Sequence, residues 1–128
     1  MITDIGRTTL LVEAYDEAIE FYTETLGFDV LFDDELADGF RAVHVGVADR
    51  TSGIWLLKAD DERERALVGN QTGREPTFVF YTDNCRETYE SLRGRVTFLG
   101  EPQTGESGTH VHFEDLYGNN IVLAELPD

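Results

Sequence analysis

Asp16-Glu17-Ala18-Ile19-Glu20-Phe21-Tyr22-Thr23-Glu24-Thr25-Leu26-Gly27-Phe28 is the stretch on which the fold turns. With Tyr15 in front of it, Tyr15, Ala18, Ile19, Tyr22 and Leu26 recur at the spacing that gives an α-helix one apolar face. Asp16, Glu17 and Glu20 sit near the positive end of the helix dipole, and Gly27 stands just past its other end. Upstream, the β-branched run Thr8-Thr9-Leu10-Leu11-Val12 predicts a strand. Downstream, 28–32, 40–47 and 54–57 read as three more strands, with turns at 33–39 and 48–53 rich in Asp, Gly, Ser and Thr. The order is β-α-β-β-β.

Residues 60–75 are charged and polar without an apolar period and read as a linker within a single domain spanning 1–128. They separate a first module at about 4–59 from a second at about 76–126. The second module repeats the first. Thr77-Phe78-Val79-Phe80-Tyr81 is a strand, and Asn84 with Glu87 resembles a capping box opening a helix that carries Cys85, Tyr89 and Leu92 and stops at Gly94. Strands are predicted over 96–99, 110–113 and 121–124, with a turn at 115–120 before the last. The offset of roughly 67 to 70 residues points to an internal duplication. The expected fold class is α+β, with two paired β-α-β-β-β modules forming curved mixed sheets around a shared cleft. By alternation, Leu10, Val12, Phe78, Phe80, Val111, Phe113, Ile121 and Leu123 should face the helices. Arg7, Thr9, Leu11, His44, Trp55, Leu57, Thr77, Val79, Tyr81, His110, His112, Glu114, Val122 and Ala124 then face the cleft.

Charge narrows the setting. The chain of 128 residues has 26 Asp and Glu against 10 Lys and Arg, a formal net charge of −16, and Lys58 is its only lysine. Such a surface repels nucleic acid and anionic membranes. The acids are dispersed, which excludes an acidic tail, and Asp33-Asp34-Glu35 and Asp60-Asp61-Glu62 lack the spacing of an EF-hand loop. A solvated acidic face remains, the composition expected of a halophile's cytoplasm, since in molar salt the screening length falls to ~3 Å. Met1 to Arg7 show no basic start followed by an apolar run, so neither export nor membrane insertion is expected. Cys85 is the only cysteine, which excludes an internal disulfide and a Cys-x-x-Cys motif.

The 16–28 stretch, combined with Phe113-Glu114-Asp115-Leu116-Tyr117-Gly118-Asn119-Asn120-Ile121-Val122-Leu123, resembles the vicinal oxygen chelate superfamily. That group includes glyoxalase I, extradiol dioxygenases, fosfomycin-modifying enzymes and bleomycin-binding resistance proteins. In its metal-using members, His or Glu ligands occupy the first and last strand of each unit. Those positions fall at or near Arg7, Trp55, Thr77 and Val122 here. None is a usual ligand. The resemblance therefore implies a member without the usual metal ligands, and a homodimer.

The leading expectation is a glyoxalase/bleomycin-resistance-like protein that binds a small organic ligand in a metal-free cleft and needs no cofactor. Its ligand-binding residues would be Arg7, His44, Trp55, Tyr81, His110 and His112. Arg7 has the planar fork to clamp a carboxylate or to pair with local acids, and Trp55 and Tyr81 suit a flat ligand. The alternative is a metal-dependent lyase, isomerase or dioxygenase. Its divalent ion would rest on His110 and His112, with His44 or Glu114 as a third ligand. His110, His112 and Glu114 are the catalytic candidates in that case. A third reading is a dimerising structural module. Cys85, on a helix flank, is weighed as a reactive or a buried thiol.

Overall fold

Side-chain alternation sorts both halves of the chain into one covered and one open sheet face. The computed structural model describes residues 1–128 as two units, Met1–Val68 and Gly69–Asp128. In the first unit β1 (Arg7–Val12) leads to helix α1 (Tyr15–Glu20), β2 (Asp29–Glu35), β3 (Arg41–Gly46), β4 (Gly53–Lys58) and the single helical turn α2 (Glu62–Arg65). The sheet order is β1-β4-β3-β2, with β1 parallel to β4 and the other pairs antiparallel. The second unit has β5 (Phe78–Tyr81), α3 (Cys85–Leu92), β6 (Thr97–Phe98), β7 (Gln103–Gly105), β8 (Gly108–Glu114) and β9 (Asn120–Glu125). Its order is β5-β9-β8-β6, with β7 also pairing on β8. In each unit the first strand lies parallel beside the last, as a duplicated β-α-β-β-β element requires.

Leu10, Val12, Val43, Val45, Ile54 and Leu56 are buried on the covered face of the first sheet, and α1 and its extension bury Ala18 and Tyr22. The helix does not end at Glu20. It continues through a π-helical turn, Phe21–Thr25, in which the Leu26 N–H reaches back five residues to the Phe21 carbonyl at 3.1 Å. Tyr22 there stacks on Phe28 at 6.2 Å, and Gly27, at φ 83°, makes the turn between them. In the second unit Val111, Phe113, Ile121 and Leu123 are buried. A file of rings from Tyr89 through Phe98 to Phe113, at 4.5 and 5.8 Å, packs α3 on that face. Asn84 caps α3 by accepting the Glu87 N–H at 3.0 Å. The Asp115-to-Asn119 turn is held by one carboxylate, which accepts the Tyr117 N–H, the Asn119 N–H and the Asn119 side-chain amide, each at 2.9 Å. Gly118 takes φ 91° inside it, which explains why this motif marks the fold and not a reaction.

Three stretches depart from the sequence reading. The acidic run Asp33-Asp34-Glu35, expected as a turn, extends β2, because β2 is an edge strand where acids stay solvated. Arg41 secures it with two bonds of 3.0 Å to Asp33 and one of 3.3 Å to Asp16, and the guanidinium bonds to Asp33 hold that carboxyl below the usual carboxylate range. The linker at 60–75 contains α2, invisible to apolar periodicity because caps make it. Asp61 accepts the Glu64 N–H, and Glu64 reaches back to the Asp60 N–H, both at 2.8 Å. Finally, β7 was not anticipated. Its Gln-Thr-Gly composition has no apolar residue, yet it forms a tight hairpin with β8 in which Gly105 faces Gly108.

Candidate functional site

Residues opposite one another in a ladder share a face, so the registers define a row across each open face. In the first unit it runs Thr9, Trp55, His44, Phe32. In the second it runs Val79, Val122, His112, and then Leu99, whose N–H bonds the His112 carbonyl at 2.9 Å. His44 and His112 thus hold corresponding positions.

Arg7 lies over the first face. Its Nε donates to His44 Nδ1 at 3.1 Å, and its Nη1 donates to the Gly6 and Thr51 carbonyls at 2.9 and 2.8 Å. Because a guanidinium has no lone pair to offer, Nδ1 must be the acceptor, and the neutral imidazole keeps its proton on Nε2. Burial, and then the Arg7 charge, push His44 below the usual imidazole value, so the neutral form prevails. The His44 ring lies 5.6 Å from Phe32 and 5.4 Å edge-on from Trp55. The Trp55 Nε1 is buried and has no hydrogen-bond partner. The crossing of Arg7 depends on paired glycines. A Cβ on Gly53 would meet Leu31 Cδ1 at 2.8 Å and Arg7 Cδ at 3.3 Å, and one on Gly46 would meet Leu31 Cδ1 at 3.0 Å. Gly46 and Gly53 are register partners, and the bulge between Val30 and Phe32 is what leans Leu31 over them. Reading residues one at a time missed Leu31, Gly46 and Gly53. The pairing of two glycines on adjacent strands was the available signal.

In the second unit His112 Nδ1 meets Asn120 Oδ1 at 2.9 Å. The Asn120 amide nitrogen donates to the Arg74 carbonyl at 3.4 Å, which turns Oδ1 towards His112 and makes it the acceptor. The neutral tautomer of His112 therefore carries its proton on Nδ1 and presents a bare Nε2 lone pair, the reverse of His44. Asn120 was also missed, being read only as a turn residue. Beside His112 a cavity of about 270 Å³ opens between β8 and the chain joining β6 to β7, lined by Leu99, Gly100, Glu101, Gln103, His110, Val111 and His112.

The structure brings Arg7, His44 and Trp55 together in one unit. In the other it brings together His110 and His112, with ring centroids 5.9 Å apart, and sets Tyr81 in the row of Ala124 and His110. Tyr81 is 70% exposed. Glu114 pairs with Asn120 and Thr97 at the far end of β8. Cys85 is buried with its Sγ 3.8 Å from the Leu123 carbonyl, and burial raises its thiol, so the inert reading of that residue holds.

The four superfamily ligand positions do not suit a cation. Arg7 and the Trp55 indole are donors, and Val122 has no polar atom. The Thr77 hydroxyl bonds Thr72 at 2.9 Å. No group of three or more His, Cys, Asp or Glu side chains is arranged to hold a metal ion.

The Glyoxalase/Bleomycin resistance protein/Dioxygenase superfamily model matches residues 4–123. An uncharacterized protein of Shewanella frigidimarina is 33% identical over 131 residues, covering 100% of this chain and 97% of its own length. The crystal structure of UcmS2 superposes with a TM-score of 0.82 at 34% identity, covering 97% of this chain and 98% of that one. TnmS3, an antibiotic-binding protein from Streptomyces sp. CB03234, shares the fold with a TM-score of 0.79 at 24% identity, covering 98% of each chain. The chain belongs to the glyoxalase/bleomycin resistance protein/dioxygenase superfamily, as a member whose usual metal-ligand positions hold other residues.

Proposed function

We propose that this protein binds a small organic molecule without a metal ion, in the cytoplasm of a cell with high internal salt. The cavity of about 270 Å³ beside His110 and His112 carries the reading: it is half open, lies just under the usual size range of small-ligand sites, and has a mixed polar and apolar lining. The antibiotic-binding relative TnmS3 supports it at the level of fold. His112 Nε2 would accept a ligand hydroxyl or N–H, while Leu99 offers apolar contact.

Native mass spectrometry of the protein as purified, followed by dialysis against Zn²⁺, Mn²⁺, Ni²⁺ or Fe²⁺ and elemental analysis, tests this. Retained organic mass and no stoichiometric ion are expected. One tightly held ion per chain, lost from a His110→Ala, His112→Ala double variant, would replace the proposal with the metal-dependent lyase, isomerase or dioxygenase.

A homodimer is part of the same proposal. Edge strand β2 and its hairpin expose Val30, Phe32, Leu36 and Phe40, which a second copy would cover. The acids at the end of β2 would repel across such a seam, so the dimer should need salt. No helix is long and apolar enough to cross a membrane.

A further inference from the structure

We propose that the open face of the first unit receives the carboxylate of a planar conjugated molecule, with Arg7 as its charged contact and the Trp55 indole N–H as a second donor. The proposal rests on the reading of this protein as a small-molecule binder and assigns a site on the first unit, apart from the cavity beside His110 and His112.

Three observations converge on it. Arg7 is held by three uncharged acceptors, the Gly6 and Thr51 carbonyls and His44 Nδ1, in a chain where Arg41 and Arg93 bond carboxylates instead. Its Nη2 takes no hydrogen-bond partner and no carboxylate pairs with it, so a fixed guanidinium keeps N–H groups to offer a ligand. Next, the neighbouring polar hydrogens are donors too. Trp55 Nε1 is buried and unpaired, a costly state that a ligand oxygen relieves by parting the side chains that cover it. The His44 tautomer dictated by Arg7 turns its remaining N–H into another donor. Finally, Phe32, His44 and Trp55 form a row of rings, tilted 40° and 69° to their neighbours, that offers a conjugated ligand both face and edge contacts. Where metal-using relatives would meet ligand oxygens through a cation, this face meets them directly with N–H groups.

The chain has one tryptophan, so ¹⁵N-labelled protein gives a single indole N–H signal that reports on this face. Titration with 2-naphthoate, and separately with the neutral 2-naphthalenemethanol, is done in ~2 M KCl to keep the acidic surface screened. Naphthoate should shift the Trp55 signal saturably and bind at least about tenfold more tightly than the alcohol. Arg7→Gln should weaken naphthoate about tenfold and reduce its advantage over the alcohol, and Arg7→Lys, which keeps charge without the fork, should fall between. By calorimetry Trp55→Phe, which keeps a ring and loses the N–H, should weaken naphthoate several-fold. Equal affinity for acid and alcohol, or an unmoved Trp55 signal while His110 and His112 signals shift, overturns this inference and leaves the binding reading standing. Arg7 variants that bind naphthoate like the parent overturn it as well. If neither compound moves any signal in either unit, both fall.

Discussion

His44 and His112 stand at corresponding points of two sheets built to one plan, and their chemistry is opposite. A donor, Arg7, meets the first at Nδ1, while an acceptor, the Asn120 carbonyl oxygen, meets the second. The neutral rings are thereby left with a proton on Nε2 in one unit and a lone pair in the other. Gly53 and Asn120 are themselves equivalent, each register-paired beside its histidine's strand. At one site the lack of a side chain lets Arg7 cross. At the other the amide supplies the partner. The two units thus share a frame and differ in the chemistry of their open faces, because one ladder position decides what can lie over the histidine.

Salt provides the largest test of the comparison. Sixteen acidic against six basic residues in the first unit, and ten against four in the second, leave net charges of −10 and −6. Lowering KCl from molar to ~0.1 M lengthens the screening distance from ~3 to ~10 Å. Hydrogen exchange should then show the first unit losing amide protection before the second, starting at β2 and β3. Simultaneous loss would break the contrast, and unchanged exchange throughout would remove the high-salt proposal.

Transplanting the second unit's residue comes next. Gly53→Asn forces a Cβ against Leu31, the Val45 carbonyl and the Arg7 stem, and should destabilise the protein by about 1–3 kcal/mol in chemical denaturation. It should also detach Arg7 from His44. Full stability with the Arg7 contact intact would mean that the glycine pair does not set the first face.

A smaller effect concerns acidification. The folded value of His44 lies below its ordinary 6.5, so the unfolded chain takes up the proton first. Its contribution to stability is present above about that value and is lost as pH falls through it towards the folded value. A His44→Gln variant should lose less stability than the parent between pH 7 and 5. NMR titration of His44 with a midpoint at or above 6.5 would contradict the burial argument.

The smallest change tests the tautomer. Asn120→Ala removes the acceptor at His112 Nδ1, and the ¹⁵N shifts of that ring should move towards the proton-on-Nε2 pattern already present at His44. An unchanged ring in the variant would show that Asn120 does not select the tautomer.

Much of this was legible from local pattern. Period-two alternation placed eight residues on the covered faces, of which Leu10, Val12, Val111, Phe113, Ile121 and Leu123 are buried and Phe78 and Phe80 half-buried. Asn84 with Glu87 marked the start of α3 by the spacing the cap uses. Short polar elements escaped. The turn α2 is capped but has no buried residue, and β7 has no apolar residue and is fully exposed, so neither leaves an apolar signature.

Sequence alone determined the two-fold β-α-β-β-β plan, the acidic surface and the loss of metal ligands, because composition, period and residue type are properties of single positions or short windows. Tertiary structure decided what Arg7 touches, which nitrogen of each histidine holds the proton, that Trp55 keeps an unpaired buried N–H, and where a cavity opens beside β8. Each of these depends on a partner brought in from another strand, eight residues away for His112 and 37 for His44, or on the absence of a Cβ at a paired position. Hydrogen-bond direction and steric room are set only when strands come into register.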